Sequence, residues 1–258
     1  MQSPATVSKQ QPSHFRQPII AIDGPAGAGK STVTRSIGHQ LRLLYLDTGA
    51  MYRAVTWLVL EQGIAIDDET AIAELVSQCE IELIDQDDCY QVRINNQDVT
   101  QAIRSANVTA NVSAIAAQTA VRRTLMKKQQ NYGQKGGIIA EGRDIGTHVF
   151  PEADLKIFLT ASVRERAKRR QKDLKDRGQG DVSLQQLEQA IRERDHQDST
   201  RKIAPLRQAT DAIEIQTDDL TISDVVEKII ALYKEKRFPS TLEVQTQSHH
   251  PNHCLNQD

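Results

Sequence analysis

Lys30 and Ser31 close a run, Gly24, Pro25, Ala26, Gly27, Ala28, Gly29, Lys30, Ser31 and Thr32, that fits the spacing G-x-x-x-x-G-K-[ST]. The chemistry open to such a run is the holding of phosphate. Its glycines let the backbone curl until successive N–H groups point inward at phosphate oxygens, and a helix starting near Lys30 adds the positive end of its dipole. A triphosphate is the natural guest. Lys30 would reach its β- and γ-phosphates, and the Ser31 hydroxyl would ligate a Mg²⁺ ion bridging the same two groups. The apolar IIAID at Ile19 to Asp23 precedes the run and a helical stretch follows it, which is the context the motif requires.

A phosphate loop alone leaves switches, motors and small-molecule kinases open. The guanine-reading tetrapeptide NKxD is absent. No obvious apolar strand ends in the magnesium-organising acid of many ATPases, although Asp144, after GIIAE, is a candidate. A second phosphate site narrows the choice. The run LLYLD leads into Asp47, Thr48, Gly49, Ala50, Met51, Tyr52 and Arg53, and GIIAE leads into Gly142, Arg143 and Asp144. Both put a guanidinium at the carboxyl end of a strand, where open α/β sheets bind ligands, and arginine grips phosphate through paired N–H groups. The second strand is expected beside the phosphate loop.

Downstream, Arg194, Asp198 and Arg201 fall at i, i+4 and i+7 on a helix expected from about Ser183, so they share one face, as the members of an exposed ion-pair ladder also would. The basic stretch before it, with Arg164, Arg166, Lys168, Arg169 and Arg170, has the composition of a mobile arm that folds over phosphates. Phosphoryl transfer needs donor and acceptor aligned, charge on the equatorial oxygens neutralised and water excluded, and an arginine-rich lid does the last two.

The elements that must position these groups are legible as alternation. Apolar runs at Ile19 to Asp23, Leu43 to Asp47, Gly137 to Glu141, Leu155 to Leu159 and Ala212 to Gln216 interleave with longer helical patterns. That is an α/β chain of three layers, α/β/α, around a five-stranded parallel sheet. Thr221 and Asp224 have the spacing of a capping box, after which Val225, Val226, Ile229, Ile230 and Tyr233 recur at helical spacing, so this last helix should close the domain. Between about 63 and 107 the alternation breaks: Ile81 to Ile84, Tyr90 to Ile94 and Gln97 to Val99 read as short strands joined by turns at Asp85 to Asp88 and at Asn95 and Asn96, a small antiparallel insert. The expected organisation is a tail over 1–17, a phosphate-loop domain over 18–237 with its insert and a helical lid at about 162–200, and a tail over 238–258.

Composition bounds the rest. The chain has 258 residues, 38% apolar and 26% charged, with a net charge of -2, which argues against general affinity for nucleic acid. Charge is unevenly spread. Ala54 to Val92 holds ten carboxylates and no Lys or Arg, whereas Arg164 to Arg177 packs eight basic residues against three acidic. No stretch approaches the roughly 18 to 20 apolar residues of a membrane span, and the N-terminal sequence lacks the apolar core of a secretory signal, so a cytoplasmic protein without membrane partners is expected. Cys79, Cys89 and Cys254 form no CxxC pair and read as reduced, incidental thiols. His249, His250, His253 and Cys254 on the polar tail read as an adventitious metal site.

GPAGAGKST, LDTGAMYR, AEGRDIGTHVFPEA and RERDHQDSTRKIAPL, in this order and with the insert, closely resemble the bacterial cytidylate kinases over about Pro18 to Tyr233. The phosphate loop is generic, but the other three motifs and the insert are specific to that family. The resemblance implies a core, a monophosphate-binding part carrying the insert, and a lid. It implies transfer of the γ-phosphoryl group of ATP to CMP or dCMP with Mg²⁺, by a monomer. It places Thr48, Tyr52, Arg53, Arg143, Asp144, Arg194, Asp198 and Arg201 in the acceptor site, with Lys30, Arg143 and Arg201 carrying the transfer. It matches Ser113 and Arg122 to positions that contact cytosine, whose exocyclic amine Asp144 could accept from. Arg53, Arg143 and Arg201 would hold the acceptor phosphate, and Asp198 could accept from ribose hydroxyls. Two residues depart from the pattern: Thr48 stands where members often carry Ser, and Gln197 where some carry Arg. A kinase that prefers UMP is the nearest alternative. A binding module that hydrolyses nucleotide without an acceptor is the more distant one, since it has no second phosphate for the strand-end arginines to hold.

Overall fold

The computed structural model describes residues 17–86, 89–176, 178, 180 and 182–237. Apart from Gln17, the tails read at 1–17 and 238–258, with the His249, His250, His253 and Cys254 cluster, lie outside the described residues.

Strand β1 (Ile19–Asp23) is buried along its whole length. Because side chains alternate across a strand, Ile19 and Ala21 enter one core while Ile20 and Ile22 enter the other. The chain then runs through α1 (Lys30–Leu41), β2 (Leu44–Asp47) and α2 (Thr48–Glu61), whose N-terminus is capped by the Asp47 carboxylate accepting from the Ala50 amide at 2.9 Å. Next come α3 (Glu69–Gln78) and the antiparallel strands β3 (Ile81–Gln86), β4 (Cys89–Ile94) and β5 (Gln97–Asp98). Helices α4 (Ala106–Ala117) and α5 (Thr119–Gly133) return the chain to β6 (Ile138–Gly142), followed by β7 (Leu155–Thr160), α6 (Val163–Asp176), α7 (Leu184–Thr200), β8 (Ile213–Gln216) and α8 (Ile222–Arg237).

The main sheet is five-stranded and parallel, in the order β2-β6-β1-β7-β8. The expected neighbour of the phosphate-loop strand is thereby corrected: β6 lies between β1 and β2. Burial explains the placement, since all five residues of β6 are buried, whereas β2 begins on exposed Leu44 and three of the four residues of β8 are exposed. A strand apolar on both faces belongs inside the sheet, and strands with a wet position belong at its edges.

One core joins the sheet to α2, α4 and α5 through Met51, Val55, Val112, Ile115, Val121 and Leu125. The other joins it to α1 and α8 through Val33, Ile37, Val225, Val226 and Ile229. Thr221 and Asp224 form the reciprocal cap that starts α8, the Thr221 amide donating to Asp224 at 2.9 Å and the Asp224 amide to Thr221 Oγ1 at 3.2 Å.

The insert's strands run close to the expected limits, except that β3 continues to Gln86; residues 87 and 88 lie outside the described residues. Asn95 and Asn96 both take positive φ, 49° and 65°, as a tight hairpin turn demands. The insert rests on the core: Tyr90 packs on Tyr45 with ring centroids 5.3 Å apart, and Asp85 pairs with Arg35 at 3.1 Å and His39 at 3.3 Å. Cys79 is buried and carries no partner cysteine among the described residues. Among the described residues no helix is long and apolar enough to cross a membrane.

Helices α6 and α7 pack on each other through Ala167, Leu174, Leu187 and Ile191, and Ser183 with Gln186 forms a capping box at the start of α7. The basic face of α6 differs from a free arm. Arg166 is buried and donates to the carbonyls of Ala161 and Ala26 and to Asp195, while Arg169 donates to the Thr217 hydroxyl and carbonyl. These two arginines tie α6 to the phosphate loop and to the end of β8, because a guanidinium sheltered from water must find acceptors for its fixed fork of donors.

Candidate active site

The phosphate loop leaves the carboxyl end of β1 and needs its glycines. Gly24 has φ 145°, and a Cβ there would come within 1.9 Å of the Leu159 carbonyl oxygen. At Gly27, φ 80°, a Cβ would crowd Arg166 of α6 at 3.2 Å. Helix α1 starts at Lys30 with no side chain capping its first amides, which leaves them to an anion at the loop. Lys30 Nζ is buried and donates to the Gly24 and Pro25 carbonyls at 2.8 Å each. Burial, and then the charge of Arg143, push the Lys30 ammonium well below its usual range, with Glu141 and Asp23 pulling the other way.

Beside Lys30 stands a carboxylate that motif spacing did not single out as a functional group. Glu141 is the last residue but one of β6, opposite Ile22, and the strand's place next to β1 brings it to the loop. It is buried, accepts from the Tyr45 hydroxyl at 2.5 Å and is hydrogen-bonded by the Ser31 side chain. Burial and the neighbouring Asp47 charge raise its carboxyl well above the ordinary range. The Ser31 hydroxyl with the Glu141 carboxylate behind it is an all-oxygen donor pair that fits a hard divalent cation such as Mg²⁺, an ion usually bound by one or two protein groups with phosphate oxygens and water. Asp144, the sequence candidate for this acid, is elsewhere.

Asp144 lies between two guanidiniums. Its Oδ2 accepts from Arg122 at 2.5 Å and its Oδ1 from Arg201 at 3.2 Å. Arg122 is the largest fully buried side chain of the described residues and also sits over the Tyr52 ring, 5.3 Å from its centroid. Burial lifts the Tyr52 phenol to about 12, so it remains a neutral hydroxyl. Arg201 follows α7 rather than lying on it, which corrects the expected helical face of three; its guanidinium also donates to the Ala204 carbonyl. Arg194 and Asp198 do sit on α7 one turn apart. Asp198 is buried and accepts from Arg143 at 2.9 Å; although burial works against it, Arg143 and Arg194 hold its carboxyl below the usual carboxylate range.

Arg53 projects from α2 and donates to the Ile103 carbonyl at 3.1 Å and the Thr109 hydroxyl at 3.0 Å. Ser113 is half-buried on α4 one turn beyond Thr109, hence on the face of α4 that Arg53 reaches. The Thr48 hydroxyl is buried and donates to the Glu141 carbonyl at 2.7 Å, pinning the start of α2 to β6. The arginines press on one another. Burial and Arg194 push the Arg53 guanidinium down, burial and Arg143 do the same to Arg194, and Arg143 and Arg194 both act on Lys30. Guanidiniums stay protonated in proteins; the downward push comes first from burial and next from the cations held close by. Such a group of charges beside the phosphate loop is built for a polyanion.

The structure thus brings together Lys30, Ser31, Arg143, Asp144, Arg194, Asp198 and Arg201 with Tyr52, Arg53 and Arg122. Sequence reasoning passed over Glu141 and Asp23 as functional groups. The signal was present in both cases: each is an acid at the carboxyl end of an otherwise apolar, buried run, in the strands IIAID and IIAEG.

Residues 20–235 match the family described as Cytidylate kinase. A bifunctional pantoate ligase/cytidylate kinase of Nostoc sp. strain PCC 7120 is 64% identical over 224 residues, covering 86% of this chain and 42% of that protein. The protein of the same description from Synechocystis sp. strain PCC 6803 is 63% identical over 224 residues, covering 86% of this chain and 44% of its own. The chain therefore spans less than half the length of these curated relatives. Among solved structures, a shikimate kinase from Acinetobacter baumannii in complex with shikimate superposes with a TM-score of 0.44 at 17% identity, covering 86% of this chain and 96% of the other.

Proposed function

The chain belongs to the cytidylate kinase family, and from that premise we propose that it transfers the γ-phosphoryl group of ATP to CMP or dCMP, giving ADP and CDP or CDP's deoxy counterpart. The observation that carries the reading is the group of cations, Lys30, Arg143, Arg194 and Arg53, close enough to act on one another beside a phosphate loop. A nucleotide hydrolase needs the first of these. Only an enzyme with a phosphate on its acceptor needs the rest.

The roles follow from position. The loop from Gly24 to Thr32 and the amides of α1 hold the phosphates of ATP, with Lys30 turning from its own loop carbonyls to the β- and γ-phosphates. Ser31, backed by Glu141, would hold Mg²⁺, which supplies charge neutralisation and orientation at the terminal phosphates when bound. Arg53, Arg143 and Arg201 hold the acceptor phosphate with Arg194 beside them, and Arg143 with Arg201 offsets the charge that spreads over the transferring group. Asp144 remains able to accept from the exocyclic amine of cytosine, because a carboxylate offers about four lone-pair sites and its two guanidiniums occupy two of them. Arg122 and Ser113 donate to the ring nitrogen and carbonyl of the base, and Asp198 accepts from the ribose. Tyr52 and Thr48 wall the site. The same reading takes the protein as a cytoplasmic monomer acting on free nucleotides.

A coupled assay across CMP, dCMP, UMP and AMP tests this. Fast turnover with CMP or dCMP is expected. A rate with UMP or AMP above that with CMP would make it a different monophosphate kinase, and ATP hydrolysis indifferent to CMP would make it a binding module.

A further inference from the structure

The acid that ends β1 is engaged across the sheet rather than by its own loop. Asp23 is buried, and its two oxygens are taken up by two consecutive backbone amides 122 and 123 residues further along the chain: Oδ1 accepts from Ile145 at 2.8 Å and Oδ2 from Gly146 at 2.7 Å. Those amides open the single wide helical turn Ile145–Val149, closed by the Val149 amide on the Asp144 carbonyl at 3.1 Å and the Phe150 amide on the Ile145 carbonyl at 2.7 Å. The first amides of any helical turn have no partner within it, and no side chain of the turn's own flanking residue caps them. Asp23 caps them from across the β1–β6 seam.

We infer that Asp23 is a positioning residue which ties the phosphate loop to the acceptor site, by holding the backbone immediately after Asp144. Asp144 has φ −145°, outside the helical turn, so its carboxylate is aimed by the peptide that joins it to Ile145. That carboxylate meets Arg122 and Arg201. On the other side, Asp23 is bonded through the chain to Gly24, the first residue of the loop. The anchored turn has no slack: a Cβ at Gly146 would meet Lys156 Cδ at 3.1 Å and Asp23 Oδ2 at 3.4 Å. The charged groups facing Asp23 are Lys30 from α1 and Asp144 from the turn, with the stem of Lys156 from β7 packed on Gly146 while its ammonium pairs with Asp211. Burial, opposed by the two amides, lifts the Asp23 carboxyl to about 6.

This inference rests on the acceptor site proposed above, and the test separates the two. Asp23→Asn keeps the size of the side chain but offers only one acceptor oxygen, so a donor now faces a donor at Ile145 or Gly146. The KM for CMP is expected to rise roughly tenfold or more while the KM for ATP stays within about threefold, as befits a misplaced substrate-orienting group. In the unsubstituted protein, the amide proton resonances of Ile145 and Gly146, both held by Asp23, should shift together when the carboxylate titrates, which reports the link between strand and turn whatever the substrate. A parallel rise in both constants or an unchanged KM for CMP would overturn the positioning role. Should Asp23→Asn not fold, Gly146→Ala, whose Cβ would crowd the Lys156 stem at 3.1 Å beside Asp23, is read by the same split in the two constants. If the unsubstituted chain phosphorylates no monophosphate yet the two amides titrate together, the functional reading falls and the link between loop and turn stands.

Discussion

The Arg122 guanidinium and the Asp144 carboxylate meet at 2.5 Å with side chains only 1% and 7% exposed, and Arg201 closes on the same carboxylate from the other side. A buried ion pair of this kind adds little net stability, but removing one partner strands the other's charge. Asp144→Ala should therefore lower the unfolding free energy by about 3 to 5 kcal/mol in chemical denaturation. It should also weaken CMP use far more than ATP binding, read by calorimetry with a non-hydrolysable ATP analogue. Equal damage to both ligands would place Asp144 on the donor side.

Lys30 is held against its own loop carbonyls in a setting that disfavours its charge. Lys30→Met removes a buried ammonium and leaves the core untouched. Turnover should drop by about a hundredfold to a thousandfold or more, the scale of losing one preorganised donor to the transition state. The thermal midpoint should hold or rise. An unaltered kcat would remove Lys30 from the chemistry.

Arg53 is pressed by burial and by Arg194, so its charge is a strain on the chain by itself and an asset once a dianion lies between them. Arg53→Gln should change stability without ligand by no more than about 1 kcal/mol, lost hydrogen bonds offsetting relieved repulsion. It should shrink the rise in thermal midpoint that CMP gives the unsubstituted protein, a rise equivalent to about 2.7 kcal/mol at a hundred times Kd. A full CMP shift in the variant would take Arg53 out of the acceptor site.

Asp23 makes a pH prediction whose sign is fixed by its raised carboxyl. With the folded group near 6 and the unfolded one at 3.8, the folded state binds the extra proton between them. The contribution to stability is complete below pH 4 and lost as pH rises through 6. Denaturation at pH 5 and at pH 7.5 should show the unsubstituted protein losing about 1.4 kcal/mol more than Asp23→Asn across that interval. An identical pH response in both would mean that Asp23 is not the titrating group.

Local features are legible in the sequence: the phosphate loop, the five apolar strand runs, the insert with its Asn95 and Asn96 turn, the helix start near Ser183 and the cap of Thr221 with Asp224. Each is written in contiguous residues whose spacing matches a strand, a helix turn or a tight loop, so nothing distant is needed to read it. The strand-end residues Thr48 to Arg53, Arg143 and Asp144 are legible for the same reason, whereas Ser113 and Arg122 are reached only through the resemblance to the family. Which strand ends meet depends on the packing of the whole sheet. β6 enters between β1 and β2 because it is apolar on both faces, and that choice alone brings Glu141 to Ser31 and Asp23 to the turn after Asp144. Arg166 is likewise a basic residue in the sequence and a tether in the fold, since the acceptors it donates to come from Ala26 and Asp195, far from it along the chain. Hydrogen bonds and charge pairs across such separations depend on strand order and helix packing, which no window of neighbouring residues encodes.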